Sequence, residues 1–179
     1  KAIQGTRAPM RPTDFGAMRC PVARAMAVLG ERWAMLILRE AFCGTTRFDG
    51  FATNLGIAPN ILSTRLNHLI RHGLLERVPE GSRHAYRLTA RGRDAFTLYL
   101  AIRDWGARHF SSPEGPPTIM VDRATGDPVR ASPPRRADGT PIGPEDVRIL
   151  PGPGANNAIR RRFGGQENQP VPEDAETHE

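Results

Sequence analysis

The chain has 179 residues, a net charge of +6 and two cysteines, Cys20 and Cys43, which excludes a disulfide-rich secreted scaffold and a four-cysteine zinc site. It contains no run of about eighteen apolar residues, and residues 1–19 lack the apolar segment of a secretory signal, so we expect a cytoplasmic protein without a membrane span. Residues 20–110 carry a net charge of +6 whereas residues 111–179 carry −3, and this distribution favours a polyanionic partner for the middle of the chain.

Proline content marks the main boundary in the sequence. Twelve of the 17 prolines follow residue 110, and the same region has few aromatic residues. We therefore predict a flexible arm over residues 1–19, a compact domain over residues 20–110 and a Pro/Gly-rich extension over residues 111–179.

Three short helices are predicted at the start of the compact domain, because apolar residues recur there at helical spacing. The apolar residues of the first helix are Val22, Met26 and Leu29, and those of the second are Trp33, Leu36, Ile37 and Phe42. Gly30 and Gly44 are predicted to end these helices. After an extended piece over residues 45–47, Asp49 is the predicted N-cap of the third helix, which ends at Gly56.

The fourth predicted helix, residues 57–72, is the most informative element. Its apolar stripe consists of Leu62, Leu66, Leu69 and Ile70, and Gly73 follows it. The opposite side carries short hydrogen-bonding groups and one arginine: Asn60, Ser63, Thr64, Asn67, His68 and Arg71. Arg65 flanks the stripe, within reach of a phosphate. Amide, hydroxyl and guanidinium groups are those that contact base edges and phosphates, so this side is the candidate DNA-contacting surface.

A β-hairpin is predicted next, with strands over residues 75–78 and 84–88 and a tip over residues 79–83. The hairpin collects positive charge from Arg77, Arg83, His84 and Arg87. Thr89 is the predicted N-cap of one long helix that runs to about His109. Its residues available for burial are Ala95, Phe96, Tyr99, Ile102 and Trp105.

This order of elements predicts a mainly α fold with a small β-hairpin, the winged helix-turn-helix. Such a domain can place one helix in the major groove of double-stranded DNA and its hairpin on the neighbouring backbone. The apolar residues of the first and last helices exceed what so small a core can cover, which predicts a homodimer that binds an imperfect palindrome. A winged-helix module for protein–protein contact, without a specific DNA site, is the alternative.

Several spaced blocks of the sequence resemble the HxlR-type transcriptional regulators, which are relatives of the MarR group. The blocks include Cys20-Pro21-Val22, Leu29-Gly30-Glu31-Arg32-Trp33, Leu55-Gly56-Ile57-Ala58, Ile61-Leu62-Ser63-Thr64-Arg65-Leu66 and Tyr86-Arg87-Leu88-Thr89. The resemblance implies a dimer that represses or activates promoters. It also implies base contacts from Asn60, Ser63, Thr64 and Asn67, and backbone contacts from Arg65 and the wing.

The same resemblance makes Cys20 a candidate sensor of oxidants or electrophiles, because some members sense them at the matching cysteine. The residues alone leave open a second interpretation, in which Cys20 packs at the dimer seam. Cys43 is predicted to lie in the core. A small-molecule effector is a further expected partner, and neither the effector nor the operator can be read from the sequence.

The extension resembles the C-terminal part of longer family members, which carries cysteine pairs and looks like a zinc ribbon. Its matching phrases are Thr125-Gly126, Asp138-Gly139, Pro141-Ile142 and Pro151-Gly152-Pro153-Gly154. Since the cysteines are missing, we predict a degenerate ribbon over residues 118–154 without zinc. Short strands at residues 119–121 and 147–150, or docking on the compact domain, would hold it. After about Ala155 we expect disorder or only transient helix.

No enzyme, metal or cofactor site is predicted. His68 and His72 have the spacing of metal ligands on a helix, but the sequence indicates no third ligand near them. Ser63 lies on an exposed helix face rather than at a strained turn, and no Walker-type glycine loop occurs, so neither a hydrolase triad nor a phosphate-binding enzyme is favoured.

Overall fold

The computed structural model describes residues 14–110 and 112–164. The chain forms two compact units, divided between Ala131 and Ser132. The elements of the first unit are α1 (Pro21–Leu29), α2 (Ala34–Phe42), α3 (Phe48–Leu55), α4 (Pro59–Arg71), β1 (Leu75–Glu80), β2 (Arg83–Leu88), α5 (Ala90–Asp94) and α6 (Phe96–Phe110). The second unit contains α7 (Asn157–Phe163). Most of the predicted N-terminal arm, and the predicted tail from residue 165 onwards, lie outside the described residues.

The predicted fold class is confirmed, because helices and one antiparallel hairpin make up the first unit in winged helix-turn-helix order. Its core lies between α2, α3, α4 and the base of the hairpin. The largest fully buried side chains are those of Ile37, Leu38, Phe51, Leu62, Leu66, Leu69 and Leu75. The apolar stripe predicted for the fourth helix therefore faces the core, and this leaves the other side of α4 free to meet a partner.

Two details at the helix ends differ from the sequence predictions. Asp49 is not an N-cap: Arg47 occupies that position, and Asp49 lies in the first turn of α3. The helix therefore starts two residues earlier than predicted, and its first residue, Phe48, packs against the core. Cys43 is exposed rather than buried, since it follows the last residue of α2 as the C-cap. The predicted end of α3 at Gly56 is confirmed, and its φ of 59° suits glycine.

The hairpin is longer than predicted and its turn is tighter. Glu80 pairs with Arg83, so the turn contains only Gly81 and Ser82, and Gly81 adopts a φ of 62°. Pro79, which the sequence placed in the tip, is the strand partner of His84. The strands pair as far as Glu80 and Arg83 because a two-residue turn with a left-handed glycine at its first position joins them directly.

The predicted long C-terminal helix is divided at Ala95 into α5 and α6. Thr89 caps α5 as predicted, and its hydroxyl accepts a hydrogen bond from the Gly92 N–H at 3.0 Å. Gly92 lies directly against the hairpin base: a Cβ there would come within 2.0 Å of the Leu74 carbonyl oxygen. By contrast, α6 packs on α2, where the ring of Phe42 lies 5.3 Å from that of Tyr99. Helix α5 therefore packs on the base of the hairpin, whereas α6 packs on α2.

The start of the extension is held on α6 by polar contacts. Arg103 donates to the Thr118 carbonyl at 2.7 Å, and the buried carboxylate of Asp104 accepts from the Ala131 N–H. Docking on the compact domain, one of the two predicted modes, is therefore observed for residues 118 and 131. The predicted strands at 119–121 and 147–150 do not form: Val121 makes an isolated bridge with Pro128, and residues 147–150 form neither strand nor bridge.

The second unit contains a helix, α7, where the sequence predicted disorder or only transient helix. Asn156 caps α7, and its side chain accepts from the Ile159 N–H at 2.9 Å. Before this helix, Arg136 forms an ion pair with Asp146. A capping side chain of this kind stabilises the first turn of a short helix, which apolar periodicity alone does not reveal.

Candidate nucleic-acid interface

Helix α4 is the second helix of the helix-turn-helix and follows α3 after a three-residue turn. Pro59 starts it at a position where a missing N–H costs nothing. Leu62, Leu66 and Leu69 face inward and are almost completely buried. The residues exposed on the other side are Asn60, Ser63, Thr64, Asn67 and Arg71. The sequence prediction of a polar face on this helix therefore agrees with the geometry at these positions.

Within that face, the side chain of Thr64 makes a hydrogen bond inside its own helix. Its hydroxyl donates to the Asn60 carbonyl at 2.9 Å. The hydroxyl oxygen stays exposed and can still accept a hydrogen bond from a partner. The amides of Asn60 and Asn67 present both a donor and an acceptor, which is the pattern that adenine requires in the major groove.

Arg65 lies at the edge of the face and is tied to the rest of the protein. Its Nη1 lies 2.7 Å from Oε2 of Glu31, in the turn after α1. The side chain is largely buried, and its Nε has no hydrogen-bond partner among the described residues. Arg65 therefore anchors α4 to the α1–α2 turn in the free protein.

His68 does not belong to the exposed face, so its placement there was wrong. It is half-buried, and its Nε2 lies 3.0 Å from the Val28 carbonyl oxygen on α1. The ring also lies 4.5 Å from that of His72. Burial, together with the charges of His68, Arg71 and Arg91, holds the pKa of His72 below its usual value. Within the described residues, no three His, Cys, Asp or Glu side chains cluster as metal ligands would.

The hairpin residues predicted as contacts, Arg77, Arg83 and His84, are all exposed. Nη2 of Arg77 lies 3.3 Å from both ring nitrogens of His84, across the two strands. Arg87 donates to Glu80 at 2.8 Å. The structure therefore brings the predicted wing residues together on one small hairpin, with an acidic residue among them.

Arg47 also belongs to this basic group, and the sequence analysis missed it. Its Nη1 donates to the His84 carbonyl at 3.3 Å, and its Nη2 forms an ion pair with Glu80. Arg47 precedes α3 and is 37 residues away from His84 in the chain. No periodic pattern links positions so far apart, and only the basic side chain itself could have drawn attention to it.

A second polar group that the sequence did not reveal surrounds the buried carboxylate of Glu40 on α2. Its oxygens accept hydrogen bonds from Arg39 at 2.9 and 3.1 Å, from Asn54 at 2.9 Å and from Thr45 at 3.3 Å. Burial alone would raise the pKa of Glu40. The hydrogen bonds from Asn54, Arg39 and Thr45 and the Arg39 charge outweigh it, so the pKa lies below the usual value. This network ties α3, the first helix of the helix-turn-helix, to α2.

Cys20, the candidate sensor, is exposed at the start of α1. It is the N-cap residue, and its side chain makes no capping hydrogen bond. Pro21 follows it in the first helical position. The thiol is therefore reachable by a reagent in solution, as is that of Cys43.

Helices α1 and α6 expose much of the apolar surface that the sequence assigned to burial. Val22 is 70% exposed, Met26 51%, Ile102 46% and Trp105 52%, whereas Tyr99 is buried. At the end of α6, Phe110 is 74% exposed. Apolar residues gathered on two helices in this way mark a surface that another molecule can cover.

An amphipathic second helix after a tight turn, followed by a two-stranded wing, defines the class of winged helix-turn-helix DNA-binding proteins. The family model described as HxlR-like helix-turn-helix matches residues 28–114. The chain belongs to the HxlR-like helix-turn-helix family, whose relatives are transcriptional regulators.

Two bacterial relatives and two solved structures illustrate the similarity. The uncharacterized HTH-type transcriptional regulator Rv3095 of Mycobacterium tuberculosis is 43% identical over 136 residues, which are 74% of this chain and 86% of that protein. The regulator sll1512 of Synechocystis sp. is 35% identical over 92 residues, which are 49% and 68% of the two chains.

Among solved structures, that of PA1607, described as a candidate transcription factor, has a TM-score of 0.72 and 45% identity. The match covers 76% of this chain and 98% of the PA1607 chain. PA1374 from Pseudomonas aeruginosa, described in the same way, has a TM-score of 0.55 and 40% identity, and covers 80% and 99%. Both matches extend beyond the family segment and therefore include part of the extension. Within residues 14–110 and 112–164, no helix is long and apolar enough to cross a membrane.

Proposed function

We propose that the protein is a sequence-specific regulator of transcription that binds double-stranded DNA through α4 and the wing. The observation that carries the proposal is the division of α4 into two faces, with its leucines in the core and Asn60, Ser63, Thr64 and Asn67 exposed. A helix of this size fits the major groove, and amides and hydroxyls are suited to reading base edges.

The proposed contacts divide into base-reading and backbone groups. Asn60, Ser63, Thr64 and Asn67 meet base edges in the major groove, while Arg77, Arg83 and His84 meet the backbone beside it. Arg65 reaches a phosphate only if its ion pair with Glu31 opens, because the two groups are 2.7 Å apart in the free protein. His68 supports α4 from behind instead.

The DNA-binding form is proposed to be a homodimer joined through α1 and α6. The exposed apolar side chains on these helices support this arrangement, and their burial by a second copy would remove them from water. Two-fold symmetry then presents two α4 helices to an imperfect palindrome. Light scattering at micromolar concentration should give twice the mass of the chain; a monomer would contradict the arrangement.

A thiol response is proposed for Cys20. It rests on the exposure of the thiol at the start of α1, the helix whose Val28 carbonyl bonds to His68 of α4. An oxidant or a thiol-reactive electrophile should change operator affinity, and Cys20→Ser should remove the change. Cys43→Ser is the matched control because its thiol is equally reachable. Loss of the response in Cys43→Ser alone would exclude Cys20 as the sensor.

The central experiment selects genomic fragments with the purified protein and measures their affinity against random duplexes by fluorescence anisotropy. Asn60→Ala and Asn67→Ala should each weaken the selected site by about 1–3 kcal/mol and leave random DNA almost unchanged. Asn157→Ala is the matched control, since Asn157 is an exposed amide on α7. Equal affinity for selected and random DNA would instead favour the alternative, a winged-helix module for protein contact.

A further inference from the structure

A cleft of about 350 Å³ lies between the start of α3 and the hairpin. Arg47 lines it from the α3 side, and Arg77, Arg83 and His84 line it from the hairpin. The two sides are joined by the backbone, because the Tyr86 N–H donates to the Thr46 carbonyl at 2.8 Å. The cleft is therefore a preformed recess with a basic lining.

In the protein without DNA, two carboxylates, Glu80 and Asp49, already contact arginines of the cleft, Arg47 and Arg83. Glu80 is not among the residues that line the cleft, but its Oε2 forms an ion pair with Arg47 of the lining and its Oε1 forms one with Arg87. Asp49 makes a looser contact, 3.7 Å from Nη1 of Arg83, and its side chain is 82% exposed. The side chain of Glu80 is 40% exposed, so another anion can reach the same guanidinium groups from solution.

We propose that Arg47, which lines this cleft, and Arg87 together bind one phosphate of the DNA backbone, and that Glu80, which pairs with both arginines, holds the position of that phosphate until DNA arrives. The inference rests on the proposed DNA-binding function and adds Arg47, Arg87 and Glu80 to it. Arg47 and Arg87 are then phosphate ligands, and Glu80 is an internal competitor.

Replacing the Glu80 carboxylate by a phosphate changes the free energy of the arginine contacts little. A guanidinium donates to two oxygens of a carboxylate in the same planar geometry that it uses for two oxygens of a phosphate. Ion pairs between exposed groups contribute little net stability, so opening the contacts of Glu80 costs little. Because phosphate contacts carry no sequence information, a competitor here lowers affinity for all DNA equally. The ratio of specific to random affinity then stays the same, and less random DNA is bound at a given protein concentration.

The direct test replaces Glu80 by glutamine, which removes the charge and keeps the side chain's size. Affinity of the full-length protein for a random duplex, measured by anisotropy over a series of salt concentrations, should rise by about fivefold per protomer at low salt. The dependence of log affinity on log salt should become steeper by up to about one per protomer, since no carboxylate is left to take up a cation. Asp94→Asn, which removes the same charge from exposed α5, should change neither quantity.

Arg47→Gln provides the second half of the test. It should weaken random-duplex binding in the wild-type background, and the gain from Glu80→Gln should shrink in the double variant, because the two side chains share one ion pair. Weaker or unchanged binding by Glu80→Gln, with an unaltered thermal midpoint, would overturn the proposal and make Glu80 a brace for the wing. If that variant fails to fold, unchanged binding by Arg47→Gln would overturn it equally.

The selected-site experiment separates this inference from the function on which it rests. A preference of the wild type for selected DNA over random DNA supports the proposed function whatever Glu80→Gln does. An absence of that preference refutes the sequence-specific function, while a rise in random binding on Glu80→Gln would still support a phosphate site at Arg47 and Arg87.

Discussion

Replacing Glu40 by glutamine is expected to destabilise the protein, although the two side chains have nearly the same shape. The Glu40 carboxylate accepts hydrogen bonds with both oxygens. One oxygen receives two from Arg39, and the other receives one each from Asn54 and Thr45. Glutamine has only one acceptor oxygen, and its amide nitrogen must face one of these two sets of donors.

Two of the four hydrogen bonds are lost in either orientation of the glutamine. A hydrogen bond to a charged group contributes about 1.5–3 kcal/mol, and a donor left facing another donor adds a desolvation cost. Arg39 is 39% exposed and can turn towards water, and the cheaper burial of a neutral amide offsets part of the loss. We therefore expect the free energy of unfolding to fall by about 3 kcal/mol, a large part of the 5–15 kcal/mol typical of a domain.

The pH dependence gives an independent check. Because the pKa of Glu40 is lowered in the folded state, its contribution is present above the unfolded value of about 4.3 and is lost as the pH falls through the lower folded pKa. The wild type should therefore lose more stability below about pH 4 than Glu40→Gln does.

Urea unfolding followed by circular dichroism, at pH 7 and over the acid range, measures both quantities. Asp94→Asn is the control, since it neutralises an exposed carboxylate. A loss below about 0.5 kcal/mol, or equal acid sensitivity in the wild type and Glu40→Gln, would refute this account of the network. Asn54→Ala completes a double-mutant cycle with Glu40→Gln that isolates the link between α2 and α3.

Further substitutions test how the hairpin base and α4 are held. Gly92→Ala should lower the thermal midpoint by an amount equivalent to about 3 kcal/mol, because its Cβ would meet the Leu74 carbonyl oxygen at 2.0 Å; an unchanged midpoint would contradict that contact. Leu66→Ala should cost about 2–5 kcal/mol in urea unfolding and weaken DNA binding, since Leu66 seats α4 on the core. Thr89→Ala should cost about 1 kcal/mol or more, because its hydroxyl caps α5 and also donates to the Gly73 carbonyl at 2.6 Å. Elemental analysis of the purified protein should find no stoichiometric zinc, and one tightly held zinc per chain would contradict the predicted loss of the ribbon's metal site.

The parts of the fold that the sequence predicted are those governed by local periodicity. The stripe of Leu62, Leu66 and Leu69 determines which face of α4 is buried, and the opposite face follows from it. Glycines with positive φ, such as Gly56 and Gly73, end helices near their predicted positions. These features depend on residues close together in the chain, so one sequence is enough to find them.

The parts that the sequence did not predict depend on contacts between distant residues. Arg47 joins the wing only because the hairpin folds back beside α3. The His68 ring turns inward because a carbonyl of α1 is available as a partner, although its spacing on α4 is that of an exposed residue. The division of α5 from α6 at Ala95 has no local signal in the sequence. In the first two cases the role of the residue follows from tertiary contacts and not from the local sequence.

The two inward contacts of α4 also have a mechanical consequence. Arg65 is bonded to Glu31 after the end of α1, and His68 is bonded to the Val28 carbonyl within α1. These contacts lie on neighbouring turns of α4, behind the face that carries Asn60 and Asn67. A displacement of α1 and the turn after it therefore moves the exposed face of α4 wherever these contacts hold. Since α1 also carries exposed Val22 and Met26, and Cys20 at its start, an event that moves this helix can reach the proposed DNA-reading residues through these two contacts.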